Sequence, residues 1–143
     1  MELAFQQALQ AANRGEVPVG AVVVSAAGEV LAVAGNETEA VSDPTAHAEV
    51  LAIRAAAVKR GDPRLIDCDL YVTLEPCAMC AGAISLARLR RVYYAAYDPK
   101  GGAVDHGPRF FSQPTCHHRP EVMGGIDEQR AAEMLKDFFA GKR

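Results

Sequence analysis

Alternating helix and strand signals along this 143-residue chain predict an α/β fold: a mixed five-stranded sheet covered by helices on both faces, three layers in all. Two β-branched runs separated only by Ala26-Ala27-Gly28 read as an antiparallel hairpin, which makes the sheet mixed. The later strands are spaced by segments of helical length and period. Half of the residues are hydrophobic, enough for a buried core at this length without covalent staples.

The elements follow in order. Leu3, Ala4, Phe5, Ala8, Leu9, Ala11 and Ala12 suit an amphipathic first helix, with Gly15 as its stop. Val17 to Ser25 and Glu29 to Ala34 form the hairpin strands, and Gly35 to Ser42 is a polar loop. Asp43-Pro44-Thr45 predicts the start of a second helix, with Asp43 capping free N–H groups and Pro44 in the first turn; Gly61-Asp62-Pro63 ends it after Arg60. Asp69 to Leu74 is the third strand. Pro76 opens a third helix that runs to about Leu89, and Arg91 to Tyr97 is the fourth strand. Asp98 to Pro120 is loop-rich. Glu121 to Gly124 is a short fifth strand, and Asp127 caps a last helix expected to bury Ala131, Met134, Leu135, Phe138 and Phe139. No linker, repeat or low-complexity stretch divides the chain, so one domain over residues 1–143 is expected.

Met1 to Arg14 has no continuous apolar run, so no secretory leader is expected. No stretch has the roughly 20 apolar residues of a membrane helix, so no membrane partner is expected either. Four cysteines, two of them in metal-type spacing, point to a reducing, cytoplasmic setting. The net charge of −3 alone argues against nucleic-acid binding. Its distribution argues the other way: residues 1–75 hold 5 basic and 11 acidic side chains, and residues 76–143 hold 10 basic and 7 acidic. A basic half can face a phosphate backbone.

The chemistry concentrates in His47-Ala48-Glu49 and Pro76-Cys77-Ala78-Met79-Cys80. One imidazole, two thiols and one carboxylate match a hydrolytic zinc site, with three ligands to the metal and the fourth position left for water. Cys77 and Cys80 share one face at the start of a helix, where the positive end of the dipole favours thiolates. A thioredoxin-like redox pair is disfavoured, because no strand-to-C-x-x-C unit opens a βαβ pattern. Cys68 and Cys116 could complete a closed structural site, but neither has a paired ligand spacing, so an open catalytic zinc is favoured. One conflict stands: His47 and Glu49 are two apart, and such side chains do not face each other on a regular helix.

The signature H-x-E…P-C-x-x-C belongs to the zinc-dependent nucleobase deaminases. The flanking segments narrow the likeness. Glu16-Val17-Pro18-Val19-Gly20-Ala21-Val22, Asp43-Pro44-Thr45-Ala46-His47-Ala48-Glu49, Leu70 to Cys77, Cys80-Ala81-Gly82-Ala83, Asp98 to Ala103, His118-Arg119 and Asp137-Phe138-Phe139 resemble the bacterial tRNA adenosine deaminases over nearly the whole chain. Asp105 to Cys116 departs from that pattern. The resemblance implies a cytidine-deaminase-like α/β/α fold, a homodimer, and conversion of adenosine to inosine at the wobble position of a tRNA anticodon stem-loop. It implies one zinc per subunit on His47, Cys77 and Cys80, Glu49 as proton shuttle, and Asn36 at the flipped base. Ala48 and Asp98 are further substrate-binding candidates within the matching motifs. Lys100, His117, His118 and Arg119 join them because the basic half of the chain runs through this loop-rich segment. Two rivals stay open: a deaminase of a free base or nucleotide such as guanine, cytosine or deoxycytidylate, and a non-catalytic zinc module that binds RNA or protein. Intact Glu49 beside an intact ligand set weighs against the second.

Overall fold

In the computed structural model, which describes residues 1–141, the chain runs through α1 (Glu2–Asn13), β1 (Gly20–Val24), β2 (Val30–Gly35), α2 (Ala48–Arg60), β3 (Asp69–Leu74), α3 (Ala78–Ala87), β4 (Arg91–Ala96), a 3-10 turn (Phe110–Ser112), β5 (Glu121–Met123) and α4 (Glu128–Ala140). The five strands lie in the order β2-β1-β3-β4-β5. β1 is antiparallel to both β2 and β3, whereas β3, β4 and β5 are parallel. Period-two alternation sends Ala21, Val23, Leu70, Val72, Val92 and Tyr94 to the face covered by α2 and α3. Phe5 of α1 and Ala131 of α4 pack with Ala95 and Ala96 on the other side. The mixed, doubly covered sheet expected from sequence is therefore what forms.

The first helix packs differently from its apolar pattern. Leu3 and Leu9 are exposed, and Ala4, Phe5, Ala8 and Ala11 are buried. The reason is close approach: a Cβ on Gly20 would sit 1.9 Å from the Ala4 carbonyl oxygen, so α1 lies with its backbone almost on β1. Only small residues fit that contact. In the last helix only Ala131 is fully buried; Met134 and Leu135 are half-buried, and Phe139 is 50% exposed against expectation. Phe138 is also half-buried, its ring edge-on to Phe139.

Two boundaries shift in a way that matters for the site. The second helix begins at Ala48, not at Asp43-Pro44, and His47 is its N-cap. Asp43 Oδ1 instead accepts from the Thr45 N–H and hydroxyl, an Asx turn that has the same local chemistry as a cap. Likewise α3 begins at Ala78 with Cys77 as N-cap, one residue beyond Pro76. The first strand is shorter than expected, because Val17 to Val19 form a turn closed by the Val19 N–H to the Val17 carbonyl.

The polar loop before α2 is anchored by Glu16, which is 1% exposed. Its carboxylate accepts from Thr38 Oγ1 and from the Glu39 and Ala40 N–H groups at 3.2, 3.1 and 2.8 Å. Burial pushes its pKa up, but these donors outweigh burial and hold it below the ordinary glutamate value. A depressed native pKa stabilises the fold above the unfolded-state pKa, and that stabilisation is lost as pH falls through the native value. Glu16→Gln should therefore lower stability in urea unfolding at neutral pH by about 1–3 kcal/mol, the cost of leaving buried donors unpaired. The gap to wild type should close as pH falls through the lowered native pKa of Glu16, below the ordinary glutamate range, where the wild-type carboxylate is itself protonated.

Candidate active site

Two helix starts meet at one point. The loop after β2 delivers His47 as the N-cap of α2, and the turn after β3 delivers Cys77 as the N-cap of α3. Both residues have extended backbone, with φ/ψ of −76/149° and −75/176°. Because His47 stands before the helix while Glu49 is already in its first turn, the rule against i,i+2 convergence does not apply to them.

His47 Nδ1 lies 3.7 Å from Cys77 Sγ and 3.6 Å from Cys80 Sγ. All three ligand atoms fall within 4.8 Å of one another, and they form the one such group among the described residues. Tetrahedral zinc with bonds of about 2.0–2.1 Å to nitrogen and 2.3 Å to sulfur puts those atoms about 3.6 Å apart, so the donor set and spacing fit zinc. Cys68 and Cys116 are buried elsewhere; the Cys116 thiol contacts Ser85 Oγ and the His118 carbonyl. The set is three-coordinate from protein, as an open site requires.

The charges are arranged for metal and proton work. The Cys80 thiol donates to Cys77 and, with His47 adding to it against the opposing cost of burial, brings the Cys77 pKa down to about 4. Cys80 is held well above the usual thiol range by that same bond and by burial. Contact with Cys77 raises the His47 pKa. Glu49 is 4% exposed. Burial, with the Cys77 charge adding to it, lifts its carboxyl to about 7 against the pull of its own backbone N–H, His47 and the Cys80 thiol. A carboxyl poised near neutrality beside an open metal position can take a proton and return it.

The other candidate residues fall into three places. Asn36 Oδ1 accepts from the Ala48 N–H at 2.8 Å, so its amide is fixed beside His47. Asp98 and Lys100 border a cleft of about 920 Å³ whose walls include Val17, Leu74, Tyr97 and Phe139. Asp98 Oδ1 is engaged by the Lys100 and Gly101 N–H groups, so its carboxylate shapes the loop that presents Lys100. His118 and Arg119 are not brought to this cluster. His118 Nε2 bonds the Leu89 carbonyl at 2.7 Å, and the ring lines a separate cavity with Ser85, Arg88 and His117 beyond the far end of α3. That helix has 10 residues, roughly 15 Å at 1.5 Å per residue. Arg119 is exposed, with Nη2 3.4 Å from the Gln113 carbonyl. Sequence reasoning gave no role to Glu75, which is 2% exposed one residue before Pro76. A carboxylate at the end of an apolar strand was the available signal.

Residues 1–96 match the family model of the cytidine and deoxycytidylate deaminase zinc-binding region, and the chain belongs to that zinc-dependent deaminase family. Within it, the chain groups with the tRNA-specific adenosine deaminases. It is 58% identical to the tRNA-specific adenosine deaminase of Agrobacterium fabrum over 143 residues, covering all of this chain and 93% of that one. The corresponding Bacillus subtilis protein is 42% identical, covering 97% of this chain and 86% of that one. A solved structure from a study of A-to-I editing by tRNA:A34 deaminases at the wobble position superposes with a TM-score of 0.92 at 58% identity, covering 94% of this chain and 97% of that one. A guanine deaminase from Bacillus subtilis superposes less closely, with a TM-score of 0.67 at 35% identity over 99% and 90% of the two chains.

Replacing Cys80 with Ala should reduce zinc from about one ion per chain to a small fraction, with the purified protein read by atomic absorption.

Proposed function

We propose that this chain hydrolytically deaminates adenosine to inosine at the wobble position of a tRNA anticodon, acting as one deaminase domain on an anticodon stem-loop. The observation that carries the chemistry is the His47, Cys77 and Cys80 triad with buried Glu49 against Cys80. Zinc held by that triad supplies Lewis acidity toward water. Glu49 takes the proton of the attacking water as oxygen adds to C6 of adenine. It passes that proton to N1, then takes the proton of the new C6 hydroxyl and delivers it to the departing amine as the C6=O bond forms, so that water is consumed and ammonia released. The Asn36 amide, locked by Ala48, orients the base in the pocket. Lys100 meets phosphate at the cleft edge, and His118 and Arg119 meet RNA farther from the extruded base. An anticodon base is already unpaired, so extruding it avoids the duplex-flipping cost of a few kcal/mol.

Among the described residues no helix is long and apolar enough to cross a membrane. A tRNA substrate supports a cytoplasmic setting. The outer face of α2 and α3 supports pairing with a second copy: Leu86 is 83% exposed beside Ile53, Pro63 and Ala83 along a shallow apolar groove. Leu86→Glu should convert a dimer to a monomer in light scattering; a wild type that is already monomeric contradicts the pairing.

The similarity to a guanine deaminase favours testing a second reading on the same site. Wild type should form inosine from an anticodon stem-loop, with guanine and cytidine failing to compete. Glu49→Ala should keep its zinc and lose turnover by at least about 10³-fold, consistent with loss of acid–base catalysis. Turnover of free guanine in preference to the stem-loop would establish the second reading instead.

A further inference from the structure

The Glu75 carboxylate is in neither the metal triad nor the cleft lining, yet it is the most heavily used side-chain acceptor among the described residues. Oε2 accepts from the Val104, Asp105 and His106 N–H groups at 3.2, 2.9 and 3.1 Å. Oε1 accepts from the Asp98 N–H at 3.0 Å and pairs with His106 Nδ1 at 2.8 Å. Five donors spread over residues 98–106 therefore converge on one buried side chain. The two ends of that segment are gathered onto it, and residues 99–101 between them are exposed, Lys100 among them.

The segment is also stitched to the metal turn. The Ala103 N–H bonds the Pro76 carbonyl at 2.9 Å, next to Cys77, and the Glu75 N–H bonds the Ala96 carbonyl at 2.8 Å. Packing leaves no slack. A Cβ on Gly102 would lie 2.5 Å from the Glu75 carboxyl carbon and 2.5 Å from the Asp98 carbonyl oxygen. His106 is further held edge-on by the Tyr97 ring, and Asp105 receives the Tyr94 hydroxyl. His106 and Asp105 lie within the stretch that departs from the pattern of the resembled deaminases.

From this arrangement we infer that Glu75 is a positioning residue for substrate: with His106 it fixes the 98–106 loop so that Lys100 and Asp98 stand at the cleft mouth in register with the metal turn. This rests on the functional reading above. The main-chain bonds of Glu75 and Pro76 hold the metal turn without the carboxylate, so Glu75 acts on substrate binding and not on the metal. Glutamine is the telling replacement. Its amide NH₂ would face a backbone N–H on one side or the other, so either the Asp98 bond or the three-amide cradle must open.

Steady-state deamination of an anticodon stem-loop, with zinc content measured alongside and assays run well below each melting temperature, tests the role. Glu75→Gln and Gly102→Ala should each raise KM for the stem-loop by about 10-fold and His106→Ala by about 3-fold, with kcat changed less than about 3-fold and zinc near one per chain. If Glu75→Gln does not fold, the other two variants carry the test, since each disturbs the loop with the Glu75 backbone bonds intact. Folded variants with wild-type KM overturn the positioning role, and so does a loss of zinc or kcat with KM unchanged. A wild type that makes no inosine from the stem-loop overturns the functional reading, and this role with it.

Discussion

The structure depends on one constraint: two helices must start at the same point in space. His47 and Cys77 are each the last extended residue before a helix, and their ligand atoms lie 3.7 Å apart. A residue at the N-cap can direct its side chain across the helix end, where the partial positive charge of the dipole favours thiolates. Sheet order makes this possible. β1 and β3 are neighbours, so the loop that follows β2 and the turn that follows β3 open toward the same edge. Glu49 then enters from the first turn of α2, inside the wall formed by the two helices, where burial lifts its pKa.

Two buried carboxylates keep the loops around that point in place. Glu16 gathers residues 38–40 of the loop leading to His47, and Glu75 gathers residues 98 and 104–106 beside Cys77. In each case burial opposes ionisation and a set of N–H donors overrides it. Loops that carry function need such anchors because they lack a ladder of their own. The His47 loop and the Lys100 loop are thus supported separately. Residues 1–96, the part shared with the broad deaminase family, hold the whole metal centre. The neighbouring cleft takes Val17 and Leu74 from that part and the rest of its wall from Tyr97 onward.

Much of this was legible in the residues themselves. The strand order of appearance, the hairpin, the metal triad and the spare carboxylate all follow from local pattern, because periodicity and ligand type are properties of short segments. Helix starts were less legible. Asp43-Pro44-Thr45 carries the chemistry of a helix cap and is an Asx turn, and the two share the same side-chain-to-backbone bond. Which apolar residues of α1 face inward is set by a contact distant in sequence. Periodicity favours large apolar residues inward, but the absent side chain of Gly20 lets the Ala4 and Ala8 backbone come closer than a leucine would permit.

The sequence by itself marked the metal-ligand set, a candidate proton carrier and the layered sheet, since each shows in residue types within short motifs. Tertiary structure decided how His47 and Glu49 meet, because that turns on whether His47 is inside the helix or at its cap. It also decided which polar residues share a place. Asn36 stands beside Ala48, whereas His118 and Arg119 lie beyond the far end of α3. Glu75 is 29 to 31 residues from the amides of residues 104–106 that it binds, and a hydrogen bond across that separation has no local signature.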